Sequence, residues 1–291
     1  MLVTDKIKNT VLTPVEQNIA EYMMEHIDDL KRLSTRDLAR LTFTSSSAVI
    51  RLAHKLGYQG YNELKAQIIA EKHYLDLHFD RLDPNIPFQQ EDSMMKVANV
   101  ISELMSESAK DTLALLDHDT LQQAAKIIHQ AQHIYVFGFG AYVSLAKVFQ
   151  LKMSRIRKYV IVQDFVGEEN YQADMLSQDD CAIFISYTGE NFYLNHIAQS
   201  LKEKAIPMIA ITSIGENSLS EICQYCLYMT TREKIFSKIA SYTTEYSVEL
   251  ILDILYSLCF KQNYASNLKY KIDHSKKVEI SHFSHNEIIK E

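Results

Sequence analysis

The sequence predicts a small all-α domain followed by an α/β domain, a doubly wound fold with a five-stranded parallel sheet. Three observations carry this. Short, well-capped helical segments fill the first 76 residues, and basic charge concentrates there. From His133 onward the hydrophobic period changes, and short apolar runs alternate with helical stretches, the pattern of buried parallel strands with helices on both faces. Between the two lies an aperiodic stretch from Asp76 to Ser93 with prolines at 84 and 87. The expected domains are therefore 1–76, a linker 77–93, a sheet domain with leading helices 94–265, and a polar tail 266–291.

Composition bounds the function. A chain of 291 residues with 47% hydrophobic content can bury two cores. No apolar run approaches the roughly 20 residues that span a bilayer, and Met1 to Thr10 lacks the apolar core of a signal peptide, so the cytoplasm is the expected compartment. The four cysteines, Cys181, Cys223, Cys226 and Cys259, are too few and too unevenly placed for a disulfide scaffold. Cys223 and Cys226 form a C-x-x-C, but they close a short helix and begin a strand, and His282 and His285 are far away in the polar tail. Buried, inert thiols are expected, with no metal. The net charge of −7 hides an asymmetry: Lys31 to Lys72 holds eight basic and three acidic residues, a local +5, against −12 elsewhere.

In chain order, Thr13 is the expected N-cap of a first helix, with Pro14 at the first helical position and Glu16 completing a capping box. Ile19, Ala20, Met23 and Ile27 form its apolar stripe, and Glu16, Glu21 and Glu25 its outer face. Ser34 with Asp37 opens a second helix to Leu41, with Leu38 and Leu41 inward. After Thr42, Phe43 and Thr44 a third runs from Ser45 to Leu56, ended by Gly57 as left-handed cap. Two short helices joined by so short a turn make a helix-turn-helix, whose second helix enters a DNA major groove. In that helix Val49, Leu52, Ala53 and Leu56 turn inward, leaving Ser46, Ser47, Ile50, Arg51 and His54 to face bases. Ser45, Arg36 and Lys55 complete the expected DNA-binding set, the basic pair at phosphates. A helical domain with a merely solvated basic face is the alternative.

Helices are expected at 61–75, at 94–116 and at 119–131, the last capped by Asp119 and Gln122. The sheet domain then reads as strand 134–137 and helix 143–155, strand 159–163, strand 181–185 and helix 190–204, strand 207–212 and a short helix, strand 226–230 and helix 235–260. Ligands of such sheets sit beyond the carboxyl ends of the strands. One end reads Gly138-Phe139-Gly140-Ala141-Tyr142, whose glycines admit close backbone approach. A second reads Ser186-Tyr187-Thr188-Gly189-Glu190-Asn191, hydroxyls between a strand and a helix N-terminus. A third is Thr212-Ser213, and a fourth, Thr231-Arg232-Glu233, follows the last strand. Hydroxyls and helix N-termini suit a phosphate, and Glu190 or Glu233 can accept hydrogen bonds from sugar hydroxyls. Equally, the Ser186 segment reads as an ordinary βα turn whose hydroxyls cap the next helix. No Walker lysine is present, which argues against nucleoside triphosphate hydrolysis.

Taken together, Leu12-Thr13-Pro14-x-Glu16, the helix-turn-helix to Gly57, Leu56-Gly57-Tyr58-x-Gly60-Tyr61, Gly138-x-Gly140-Ala141, Ile185-Ser186-Tyr187-x-Gly189-Glu190, Ile209 to Ser213 and Arg232-Glu233 resemble the RpiR-type family of bacterial transcriptional regulators. The resemblance spans both domains, about Leu12 to Phe260. It implies an N-terminal DNA-binding domain and a C-terminal sugar isomerase (SIS) domain that senses a phosphosugar, with operator DNA as partner and a homodimer or tetramer formed through the SIS domain. Ser186, Thr188 and Asn191 match the family's S-x-S-G-x-T loop, with Thr for the second Ser and Asn for the final Thr. Tyr142 stands where the family commonly has Ser, and Phe43 replaces the small residue usual in the turn before the recognition helix. No cofactor, metal or catalytic residue is implied. Two other functions compete: a phosphosugar isomerase or lyase using Glu190 or Glu233 as general base, and a DNA binder whose SIS domain only dimerises.

Overall fold

A computed structural model of the chain describes residues 3, 6–7, 10–76, 82–162, 167–278 and 288. The backbone divides into two units: Met1–Leu115 with Ile214–Asn217 and Thr230–Thr243, and Leu116–Ser213 with Ser218–Met229 and Thr244–Glu291.

The first unit opens with helices α1 (Pro14–Glu25), α2 (Ile27–Leu30), α3 (Thr35–Leu41), α4 (Ser46–Lys55) and α5 (Tyr61–Asp76). Both capping boxes form: the Thr13 hydroxyl accepts from the Glu16 N–H and the Glu16 carboxylate from the Thr13 N–H, and Ser34 and Asp37 do the same. Ile19, Met23, Leu30, Leu38, Val49, Leu52 and Leu64 build one buried core. Two expectations fail here. The first helix stops at Glu25, where His26 leaves helical geometry, so Ile27 starts a separate turn that carries Leu30 inward. Leu41 is 40% exposed, because Thr42 takes the inward place and its hydroxyl donates to the Leu38 carbonyl at 2.8 Å.

Of the aperiodic stretch, residues 77–81 lie outside the described residues. The rest is anchored: Asn85 is buried, donates to Asp83 at 2.8 Å and accepts the Lys234 N–H at 2.6 Å. Helix α6 (Met94–Leu115) presents a buried polar line, with Ser108 donating to the Thr243 carbonyl at 2.9 Å and Asp111 accepting from Thr230 at 2.5 Å. Charge on that line is compensated, since the Arg232 guanidinium lies 3.7 Å from Asp111.

In the second unit α7 (His118–Gln130) precedes β1 (His133–Gly138), α8 (Ala141–Ser154), β2 (Tyr159–Val162), α9 (Glu169–Met175), β3 (Cys181–Ser186), α10 (Phe192–Glu203), β4 (Met208–Ser213), α11 (Ser218–Ile222), β5 (Tyr225–Met229), α12 (Tyr242–Gln262) and α13 (Tyr264–Val278). The five strands are all parallel in the order β2-β1-β3-β4-β5. Because successive strand residues face opposite sides, Ile183, Ile185, Ile209 and Ile211 pack with Ala124, Phe149, Ile251 and Leu255 on one face. Phe184, Met208 and Ala210 pack with Leu194, Ile197 and Leu201 on the other.

Four boundaries differ from the sequence expectation. The cap of α7 is Asp117, which accepts from the Thr120 N–H at 2.8 Å, rather than Asp119. Helix α9 adds an element between β2 and β3. The last long helix begins at Tyr242 instead of Ile235; Ile235, Phe236 and Ile239 are exposed in an irregular segment. The expected polar tail from 266 is helical as far as Val278.

Asp180 fastens the start of the sheet. Its carboxylate, 5% exposed, accepts from the Ser177 N–H (2.9 Å) and hydroxyl (2.8 Å) and from the His133 N–H (3.1 Å), with the His133 ring at 2.8 Å. Burial opposes its ionisation, yet these bonds hold the carboxyl below its ordinary range. A lowered pKa contributes stability that is present above the ordinary carboxylate range and lost as pH falls through the lowered value. Asp180→Ala is therefore predicted to cost about 1–3 kcal/mol at neutral pH. In urea titrations the gap to wild type should close as pH falls below about 4.

Candidate functional site

Two regions gather the residues singled out by sequence. The first lies on α3 and α4. Ser45 caps α4, its hydroxyl accepting from the Ala48 N–H at 3.2 Å and lying 2.9 Å from the Ser47 hydroxyl. Ala48, Val49, Leu52 and Ala53 are buried, so Ser47, Ile50, Arg51, His54 and Lys55 fall on the outer face, with Ser46 half-buried. Arg36 is exposed on α3. These side chains are not equivalent. The His54 ring bonds the Gln59 carbonyl at 3.0 Å, and Lys55 pairs with Glu16 at 2.6 Å, a contact that holds the Glu16 carboxyl below its ordinary range. Arg36 and Arg51 make no hydrogen bond or ion pair among the described residues, which leaves two guanidinium groups to meet an anion.

The second region is the carboxyl edge of the sheet. Strand register sets Gly138 beside Ile185 and Ser186 beside Thr212, so the ends of β1, β3 and β4 are neighbours. A Cβ on Gly138 would lie 3.3 Å from the Tyr142 Cβ and 3.4 Å from the Ile185 carbonyl, so only glycine fits without displacement. Gly140, at φ 61° and ψ −129°, is the N-cap of α8 and brings no side-chain cap. Gly140 thus offers these first N–H groups no side-chain acceptor, and its carbonyl accepts the Val143 N–H at 3.2 Å. Ala141 and Tyr142 begin the helix, Tyr142 packed against the core.

The loop after β3 is pre-shaped by its own side chains. Ser186 accepts the Gly189 N–H at 3.3 Å, Thr188 accepts the Glu190 N–H at 3.2 Å, and Gly189 takes φ 67°. Asn191 caps α10 through the Leu194 N–H at 3.1 Å. The Tyr187 carbonyl accepts from the Ser213 N–H at 3.2 Å, and the Gly189 carbonyl from the Leu219 N–H at 3.1 Å. Glu190 accepts the Ser218 N–H (3.0 Å) and hydroxyl (2.6 Å), tying the loop to α11.

Two buried polar atoms at this edge stand out: the Thr212 hydroxyl and the Asn195 Oδ1 have no hydrogen-bond partner among the described residues. Thr212 shares a sheet face with its neighbour Ser186, and Asn195 donates its amide to the Gly189 carbonyl at 3.0 Å. Buried polar groups are nearly always paired, so these two mark a place for a ligand or water. Sequence reasoning missed Asn195; the signal was an amide four residues after Asn191 on a helix whose Leu194, Ile197 and Ala198 point inward.

Glu233 lies in the first unit and is also engaged: its carboxylate accepts the Thr243 N–H and hydroxyl, both at 2.6 Å, and pairs with Lys238 at 3.0 Å. Burial pushes the thiols of Cys223 and Cys226 up to about 12 and about 11, far from the thiolate range that metal binding or redox chemistry needs. No helix among the described residues is long and apolar enough to cross a membrane.

Comparison with known proteins places these regions. Residues 1–73 match the helix-turn-helix domain of the rpiR family, and residues 127–252 match the SIS domain. An uncharacterized HTH-type transcriptional regulator of Caldanaerobacter subterraneus subsp. tengcongensis is 28% identical over 264 residues, 89% of each chain. The fold is similar to that of the Vibrio vulnificus NanR protein complexed with ManNAc-6P, with TM-score 0.60, 21% identity, and 97% and 98% of the two chains covered. It is also similar to the sugar isomerase domain of an RpiR transcription factor from Sphaerobacter thermophilus, with TM-score 0.55 and 15% identity over 62% of this chain and 99% of that one.

The geometry at Gly140 yields a prediction. Its backbone region is nearly closed to L side chains, so Gly140→Ala should cost about 1–3 kcal/mol by chemical denaturation. Gly60→Ala, where an added Cβ meets nothing within 4 Å and φ is not positive, should leave stability close to wild type. Equal stability of both variants would contradict the assignment.

Proposed function

Because the chain belongs to the RpiR-type family of helix-turn-helix transcriptional regulators with a SIS domain, we propose that it binds operator DNA through α3 and α4 and senses a phosphorylated sugar at the edge of the sheet. The observation that carries the sensing half is the pair of buried, unsatisfied atoms, Thr212 Oγ1 and Asn195 Oδ1, beside a hydroxyl loop and an uncapped helix start. A phosphate ester supplies acceptor oxygens for N–H and hydroxyl donors such as Thr212 without any lysine, whereas Asn195 Oδ1, itself an acceptor, takes a sugar hydroxyl as its donor. In this reading Ser186, Tyr187, Thr188, Gly189 and Asn191 grip the phosphate, and Gly138, Gly140, Ala141 and Tyr142 admit it to the start of α8. Thr212, Ser213 and Glu190 address the sugar. Because Ser186 and Thr188 already hold loop amides, binding exchanges internal hydrogen bonds for bonds to the ligand.

On the DNA side, Ser46, Ser47, Ile50, Arg51 and His54 face the bases, Arg36 and Lys55 the phosphates, and Ser45 caps the helix that carries them. Sensing requires that the sugar bind DNA-competent and DNA-incompetent arrangements with unequal affinity. The proposal includes a homo-oligomer, dimer or tetramer, built on the SIS domain, which sets half-site spacing near 34 Å or a multiple of it, and a cytoplasmic location. A catalytic role is disfavoured by the carboxylates: Glu190 is held by Ser218, and Glu233 by Thr243 and Lys238. Neither is poised as a general base.

Two outcomes are expected. Arg51→Ala should lose about 1–3 kcal/mol of specific operator binding and relax base preference; an unchanged gel shift would refute that role. In a thermal-shift screen, one class of sugar phosphates should raise the melting temperature, by about 2.7 kcal/mol of stabilisation at a hundredfold excess over Kd. The dephosphorylated sugars should not. Product formation from any of them would favour the isomerase.

A further inference from the structure

Helices α3 and α4 end in the same hydrogen-bonded motif. At the end of α4, Gly57 takes φ 91°, its N–H bonds the His54 carbonyl at 3.0 Å, and the Tyr58 N–H bonds Ala53 at 2.9 Å. After α3, Phe43 takes φ 53°, its N–H bonds Arg40 at 3.2 Å, and the Thr44 N–H bonds Ala39 at 2.7 Å. Glycine is the residue this position favours, since an L side chain brings Cβ against the carbonyl. Among the described residues two other non-glycine positions adopt this backbone, but Ala205 has a single methyl and the Arg157 guanidinium lies 3.7 Å from the centre of the Tyr270 ring. Phe43 differs from both. Its ring is 97% exposed, so the fold carries backbone strain and a solvated aromatic with no packing return.

The position of that ring is informative. Phe43 stands two residues before the cap of α4, the helix whose exposed residues include Ser47, Ile50 and Arg51, and Ile50 is itself 40% exposed. A phenyl ring cannot hydrogen-bond a base edge, and the apolar feature of the major groove is the thymine C5-methyl group. We propose that Phe43 is a specificity-determining residue that packs on a thymine methyl in the operator, beside the bases faced by the start of α4. The inference rests on the operator-binding function proposed above and adds a residue outside the set assigned there.

The test uses the full chain and the tightest duplexes it selects from a random-sequence library. Fluorescence anisotropy compares wild type with Phe43→Gly on the selected duplex and on copies in which each thymine is replaced, one at a time, by deoxyuridine, which lacks the methyl. Phe43→Gly relieves the strain, so its melting temperature should equal or exceed that of wild type. Its affinity for the selected duplex should fall about 10-fold, the scale of one lost base contact. At one thymine or more, the loss on deoxyuridine replacement seen with wild type should vanish in the variant. Equal affinities of variant and wild type would overturn the inference, as would a lowered melting temperature accompanying the loss. Self-association that disappears in Phe43→Gly while DNA affinity stays would assign the ring to a protein contact and overturn it too. Failure of the operator-binding function looks different: wild type itself selects no sequence.

Discussion

At the carboxyl edge of a parallel sheet, strand ends and helix starts must meet, and every N–H of the first helical turn needs an acceptor from outside the helix. The rest of the sheet domain follows from how this chain meets that demand. Asn191 supplies a cap for α10, whereas α8 begins at Gly140 with none. Ser186 and Thr188 turn back on the amides of Gly189 and Glu190, and Asn195 braces the Gly189 carbonyl from the helix behind. The loop is thus already held in shape by internal hydrogen bonds before any ligand arrives. Preorganisation of this kind lowers the ordering cost of binding. It leaves Thr212 and Asn195 each with one atom that a ligand or water can satisfy.

The helical domain solves a related problem in the opposite way. Its helices are bounded by capping boxes and by left-handed residues, and seven glycines in 291 residues leave few for such positions. Gly57 serves after α4, but α3 ends on Phe43. Elsewhere the same shortage is met with Ala205 and with Arg157, whose side chains are small or stacked. Among the left-handed non-glycine positions of the described residues, Phe43, in the turn before α4, carries a ring that is 97% exposed.

Much of this architecture was legible in the sequence because it is encoded locally. Thr13 with Glu16, Ser34 with Asp37, Ser45 and Gly57 each act within one helical turn, and each sits where the residue pattern indicates. Buried parallel strands are continuous apolar runs, so all five were visible. What escaped depends on tertiary partners. Ile235, Phe236 and Ile239 read as helix from their apolar spacing, but the Glu233 carboxylate captures the Thr243 N–H and hydroxyl, and α12 starts only beside it. Asp117 outcompetes Asp119 as a cap because Thr120 offers both its N–H and its hydroxyl. The site was legible as a set of strand ends, but not which of its polar groups would be used internally. Pattern reading marked Glu190 as a sugar acceptor without showing that it also accepts from Ser218, and it passed over Asn195 as an ordinary helical residue.

The account stands on linkage between the two halves of the chain, and operator affinity measured with and without a bound sugar phosphate tests it most directly. With the phosphosugar that most stabilises the protein held at saturation, anisotropy titrations of the selected operator should shift by about 5- to 150-fold, and operator should change the sugar's affinity by the same factor. Identical operator affinity in the presence and absence of a sugar that demonstrably binds would contradict the account.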